Sequence, residues 1–292
     1  MTDRRDSLLA AGALVINAFI WGVSWWPMRQ LQGLGLHPLW TTALVYVVVL
    51  TGLLVFYRGS LKGFVAHPQL WLLAGAAGLT NVGFNWAVTV GDVVRVVLLF
   101  YLMPAWSVLV AWAVLGERPT AASLLRLVLA MAGVLIVLKA PEASWPVPQG
   151  LPDWLALMGG FSFALTNVML SKLSHTPTGS RMLAMFAGGS VMAAGAALVG
   201  MSQHIVPPPS LQGMASLLVI GLSLAFLISN AALQYGAARL VATTTALVML
   251  TEILFASGSA ALLGAAEFTP RIWLGGGLIV LAAALAALAP RE

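Results

Sequence analysis

The 292-residue chain has no cysteine, four histidines and only 8% charged residues, where a soluble domain carries about a quarter. The missing thiols exclude disulfides, thiol redox chemistry and thiolate metal sites. His37, His67, His175 and His204 all fall in predicted connections, so no buried histidine ligand set or histidine base is expected. No lysine or histidine stands near the middle of an apolar run, which leaves serine chemistry without its base. Glu252 is the single acidic residue near a mid-span position and Asp92 lies at a span end, so a two-carboxylate mechanism is not expected either. An intramembrane enzyme is therefore disfavoured, and neither metal nor cofactor is expected.

What the chain has in abundance is apolar sequence, with 60% hydrophobic residues. Runs of about 20 such residues match the hydrocarbon thickness of a bilayer. Breaks at charged or Pro/Gly-rich stretches divide the chain into ten predicted helices, near 8–30, 38–57, 69–90, 94–115, 121–138, 153–173, 181–201, 211–236, 241–264 and 270–289. The expected fold class is an all-α polytopic membrane protein. The first apolar run follows Arg4 and Arg5 without a small-x-small cleavage pattern, so an uncleaved first span is expected.

The net charge of +5 is spread singly between spans and points to topology, with no nucleic-acid partner. With the N-terminus in the cytoplasm, Arg4, Arg5, Arg58, Lys62, Arg118, Arg126, Lys172, Arg181, Arg239 and Arg291 lie inside. Only Arg29, Arg95, Lys139 and Arg271 then lie outside, so both termini are expected in the cytoplasm. Trp40, Trp71, Trp145, Trp154 and Trp273 sit at span ends, where indole favours the membrane interface.

The chain repeats itself. "GERPTAASLLRLVLAMAGVLIVL" from Gly116 has the same grammar as "AEFTPRIWLGGGLIVLAAALAAL" from Ala266, and "WAVTVGDVVRVVLLFYLMP" from Trp86 aligns without gaps on "YGAARLVATTTALVMLTEI" from Tyr235 at an offset of 149 residues. Each half holds five predicted spans, an odd number, so the second half enters the membrane from the opposite side. Two domains follow, residues 1–140 and 150–290, as inverted five-helix repeats. A site between such halves can face either side in turn.

The repeat unit resembles a known module. Trp21-Gly22 in the first helix, Trp86-Ala87 and Tyr235-Gly236 ending the third of each half, Pro104 in the fourth and Gly116-Glu117 before the fifth are similar to the EamA module of the drug/metabolite transporter superfamily. The second half departs from the pattern, with Ile253 in place of the usual proline after Glu252 and Ala266 in place of the glycine before Glu267. The resemblance implies a bacterial inner-membrane carrier, most similar to exporters of amino acids, aromatic ones included. It is expected to work as a monomer in the lipid bilayer on small amphipathic metabolites. Exporters of lipophilic cations and carriers of nucleotide sugars belong to the same superfamily, and a passive receptor is the remaining non-carrier alternative.

Polar side chains inside a bilayer face protein or a water-filled cavity. Asn17, Trp21 and Ser24 share one face of the first helix, Asn81, Asn85 and Thr89 one face of the third, and Phe163, Asn167 and Ser171 one face of the sixth. The eighth helix adds Asn230 and Gln234. The expected cavity residues are Asn17, Trp21, Asn81, Asn85, Trp86, Tyr101, Phe163, Asn167, Asn230, Gln234, Tyr235 and Glu252. Thr245 and Ser259, seven residues either side of Glu252, are expected on its face. The fifth and tenth helices are almost free of polar residues and are expected to pack or face lipid, and Gly189, Ala193 and Ala197 form a seam on the seventh. Arg95 is expected at the solvated outer mouth.

Overall fold

A computed structural model describes residues 2–57, 59–91, 93–138, 148–211, 213–264 and 269–289. Arg58, Asp92, Lys139, Trp145, Ala266, Glu267 and Arg291 lie outside the described residues, as does the side chain of Thr89. The described chain is helical: α1 (Thr2–Gly33), α2 (Pro38–Phe56), α3 (Gly59–Ala66), α4 (Gln69–Val90), α5 (Val93–Phe100), α6 (Met103–Leu115), α7 (Ala121–Leu138), α8 (Leu151–Lys172), α9 (Thr178–Ser202), α10 (Met214–Ala237), α11 (Ala242–Met249), α12 (Glu252–Leu262) and α13 (Pro270–Ala287).

Among the described residues nine segments are long and apolar enough to cross a bilayer, with α5–α6 and α11–α12 each counted as one. The protein is therefore a multi-pass membrane protein. The remaining predicted span is α4, whose 22 residues have the length to cross. It packs against both α8 and α9, and its Thr80, Asn81 and Asn85 lower its hydropathy. Polar content and a central position go together, because lipid would leave those groups unpaired.

Three elements differ from expectation. The short α3 was not predicted; Ser180 Oγ on α9 donates to Ser60 O at 2.9 Å and ties α3 down. The fourth and ninth predicted spans are broken at mid-length. Their first pieces end at Phe100 and Met249 and their second pieces begin at Met103 and Glu252, so both boundaries repeat at a spacing of 149 residues. Pro104 stands just inside α6, where its missing N–H costs nothing. The second break has no proline. There the backbone tightens through Leu250 N to Leu247 O, Thr251 N to Val248 O and Ile253 N to Leu250 O, and Thr251 Oγ1 also donates to Val248 O.

Small residues set the closest helix approaches. A Cβ on Gly133 of α7 would lie 2.6 Å from Gly275 O on α13, and one on Gly275 would lie 2.6 Å from Gly133 O. The two nearly non-polar helices thus meet backbone to backbone, as dispersion packing in lipid favours. On α9, Ala193 and Ala197 are fully buried and Gly189 lies against the Tyr46 ring. Outward faces carry Leu125, Val128, Leu217, Ile220 and Leu224, exposed as lipid-facing side chains are. Trp71, Trp154 and Trp273 are likewise exposed at helix ends.

Candidate functional site

Between α1, α2, α4, α8, α9 and α10 lies a central cavity of about 100 Å³, closed by the two helix breaks. It has room for several waters or one small solute. Eight of its lining residues are aromatic: Trp21, Tyr46, Phe84, Phe100, Tyr101, Phe163, Phe186 and Phe226. They form two walls. Trp21 stacks on Phe226 at 4.4 Å, and Tyr46 meets Phe186 and Phe226 edge-on at 4.9 and 6.2 Å. On the other wall Phe100 stacks on Phe163 at 6.0 Å and meets Phe84 edge-on at 4.9 Å. Such edge and offset arrangements hold the rings rigidly.

The polar lining is sparse and mostly committed. Asn17 Nδ2 donates to Ser229 O at 2.9 Å and Ser229 Oγ at 2.6 Å, joining α1 to α10 across the halves. Asn81 Nδ2 donates to Ala77 O at 2.8 Å while its Oδ1 accepts from Tyr46 OH at 3.2 Å. Asn85 Nδ2 donates to Thr42 Oγ1 at 2.6 Å. Asn230 Nδ2 points at the Met185 sulfur at 3.3 Å, a weak acceptor.

Among the described residues Glu252 is the one carboxylate on the wall, and no Lys, Arg or His lines the cavity. It opens α12, and Tyr101, between α5 and α6, hydrogen-bonds to it. The two helix breaks therefore meet at this bond. Gly22 makes room for it: a Cβ there would lie 2.7 Å from Glu252 O. Across the cavity a Cβ on Gly160 of α8 would lie 2.5 Å from Phe100 O, at the other break.

Of the expected residues, Asn17, Trp21, Asn81, Asn85, Tyr101, Phe163, Asn230 and Glu252 line the cavity. Four do not. Trp86 leans on the apolar cluster of Leu39, Val82, Ala196, Ala197 and Val206. Tyr235 lies beneath the Arg239 guanidinium, 3.8 Å from its ring centre, with its side chain exposed. Gln234 sits one turn behind Asn230, bonded to Arg181 and to Asn230. Asn167 is fully buried with neither amide atom partnered among the described residues. In each case helical spacing gave the face to within a residue or two, which is too coarse to separate lining from the layer behind it.

Thr245 and Ser259 also lie off the wall. The turn at Leu250–Thr251 breaks the helical phase between Thr245 and Glu252, whereas Ser259 shares α12 with Glu252, two turns further along. Ser259 Oγ instead accepts from Trp25 Nε1 at 2.9 Å. Arg95 is not simply solvated, since its Nε reaches Asp153 Oδ1 at 3.0 Å and Oδ2 at 2.9 Å. Tyr46, Phe186 and Phe226 were missed. Tyr46 carried a signal, a phenol amid aliphatic residues whose buried hydroxyl needs a partner.

Residues 8–139 match the EamA-like transporter family. A protein named RarD from Streptomyces exfoliatus is 27% identical over 165 residues, which cover 53% of this chain. The chain spans about half the length of that relative, 49%. A solved crystal structure superposes with a TM-score of 0.76 at 19% identity, over 95% of this chain and 96% of the other. At that identity the likeness concerns the fold.

Proposed function

We propose that this chain, an EamA-like family transporter by its first half, exports small amphipathic metabolites and above all amino acids, aromatic ones included. The observation that carries the reading is one carboxylate set among eight rings and four amides in a cavity at the centre of a helical membrane protein. Glu252 suits a substrate ammonium, the rings suit an apolar side chain, and the amide N–H groups suit a carboxylate.

The second half is read as an inverted copy of the first, residues 150–290 against 1–140. The equal spacing of the two breaks supports this. Alternating access then follows from exchange of conformation between the halves. The reading includes a monomer in the bacterial inner membrane with both termini in the cytoplasm.

A second reading, export of lipophilic amines, draws on the absence of Lys, Arg and His from the cavity wall among the described residues. Uptake of labelled L-phenylalanine and 2-phenylethylamine into liposomes holding the purified protein separates the two. Saturable phenylalanine flux is expected, and flux of the amine alone would replace the first reading by the second. No flux of either would remove both.

A further inference from the structure

Arg181 stands in the first turn of α9 with 4% of its surface exposed. Its guanidinium is fixed by three neutral acceptors. Nε donates to Gln234 Oε1 at 3.1 Å, Nη1 to Leu173 O at 2.9 Å and Nη2 to Thr178 Oγ1 at 3.1 Å. Among the described residues no carboxylate lies within ion-pair distance of it, and the charged neighbour acting on it, Arg239, has the same sign. A buried charge without a counter-ion is costly, and topology alone needs only an exposed one.

The positive charge is wired to the cavity. Gln234 accepts from Arg181 and donates through Nε2 to Asn230 Oδ1 at 2.8 Å. Asn230 lines the cavity and presents Nδ2 to the thioether of Met185. Each amide in such a chain polarises the next, so the guanidinium strengthens the terminal N–H as a donor. The chain thus ends on the wall in an activated donor that, among the described residues, meets the weak acceptor sulfur of Met185.

We propose that Arg181, acting through Gln234 and Asn230, is the positioning residue of an anion subsite that takes the carboxylate of the substrate. This rests on the amino-acid reading above and deepens it. Glu252 and Asn230 then receive the two charged ends of one zwitterion, and the counter-ion that Arg181 lacks is the substrate itself. The relay also explains how a cavity wall with no cation among the described residues can hold a carboxylate.

The test measures transport of L-phenylalanine and of 2-phenylethylamine, which lacks the carboxylate, by the full chain in liposomes. Arg181→Met is expected to raise KM for phenylalanine about tenfold or more, as loss of a charge-assisted bond does, and to leave the amine within about twofold. Arg181→Lys is expected to recover part of the loss. Gln234→Glu keeps the size of the side chain and gives Arg181 an internal counter-ion, so it is expected to fold well and still lose selectivity for the carboxylate. An equal loss for both substrates in the Arg181 variants, or unchanged selectivity in Gln234→Glu, would overturn the proposal and leave amino-acid export standing. Wild-type protein that carries the amine and not phenylalanine would overturn both.

Discussion

The two broken helices do the same thing by different means. In the first half, Pro104 opens the second piece and the start of the first piece is held by the Arg95–Asp153 ion pair. In the second half the break has no proline, the start of α11 is held by Glu117, whose carboxylate accepts from Ala242 N–H, and the break itself carries Glu252. Both breaks nevertheless fall in the same register, each beneath a glycine of a neighbouring helix. The common factor is the close backbone approach from α1 or α8. Proline reinforces a break that packing has already placed, and the second half uses the freed position for a charge.

If packing sets the breaks, the largest effect comes from closing the approach. Gly22→Val and Gly160→Val would each push a side chain into backbone that cannot yield, at a cost of about 1–3 kcal/mol or more. Loss of monodisperse protein on size-exclusion chromatography is expected for both, whereas Pro104→Ala is expected to remain folded. A stable, active Gly22→Val protein would show that the approach is not what holds the break.

Next in size is Glu252→Gln, which keeps the shape and removes the charge. Folding is expected to be nearly unchanged, and amine-bearing substrates are expected to lose about tenfold or more in kcat/KM. The corresponding change at the first break, Met103→Gln, is expected to leave flux near wild type. Equal effects at the two positions would mean that the halves share the substrate evenly.

A smaller loss is expected from Asp153→Asn, which breaks the ion pair with Arg95 Nε and weakens the bond from Gln149 N to Asp153 Oδ2 at 2.8 Å. Arg95 is partly exposed, so screening limits the effect to about 1–2 kcal/mol, visible as a lower melting temperature in detergent.

The smallest effect belongs to Glu117. Burial raises its pKa, opposed by the Ala242 N–H, so its charged form is disfavoured in the folded protein. That penalty is absent below the unfolded pKa and complete once pH exceeds the folded one. Glu117→Gln is therefore expected to stabilise slightly at neutral pH and not at acid pH. Melting curves at the two pH values check the sign.

The helices and their order were legible because bilayer thickness imposes a length on apolar runs. The 149-residue offset read in the sequence is also the spacing of the two breaks, although no break was expected in either span. What sequence could not supply was depth within a face. Asn230 and Gln234 lie four residues apart on one stripe, yet one lines the cavity and the other stands behind it. Arg181 counted only as a topology signal, because burial of a residue at a helix end depends on which neighbours cover it. Thr245 misled because a continuous helical phase was carried through a break that has no proline to mark it, and Ser259, two turns along α12 from Glu252, is taken up by Trp25.

A single cysteine at Asn81 tests the transport reading most directly, since the natural chain has none to interfere. Asn81→Cys protein in membranes is treated with a membrane-impermeant maleimide from each side in turn, with and without L-phenylalanine. Labelling from both sides, slowed by phenylalanine in each case, is the predicted result. Labelling from one side only, or at a rate indifferent to phenylalanine, would contradict a substrate site reached alternately from the two faces of the membrane.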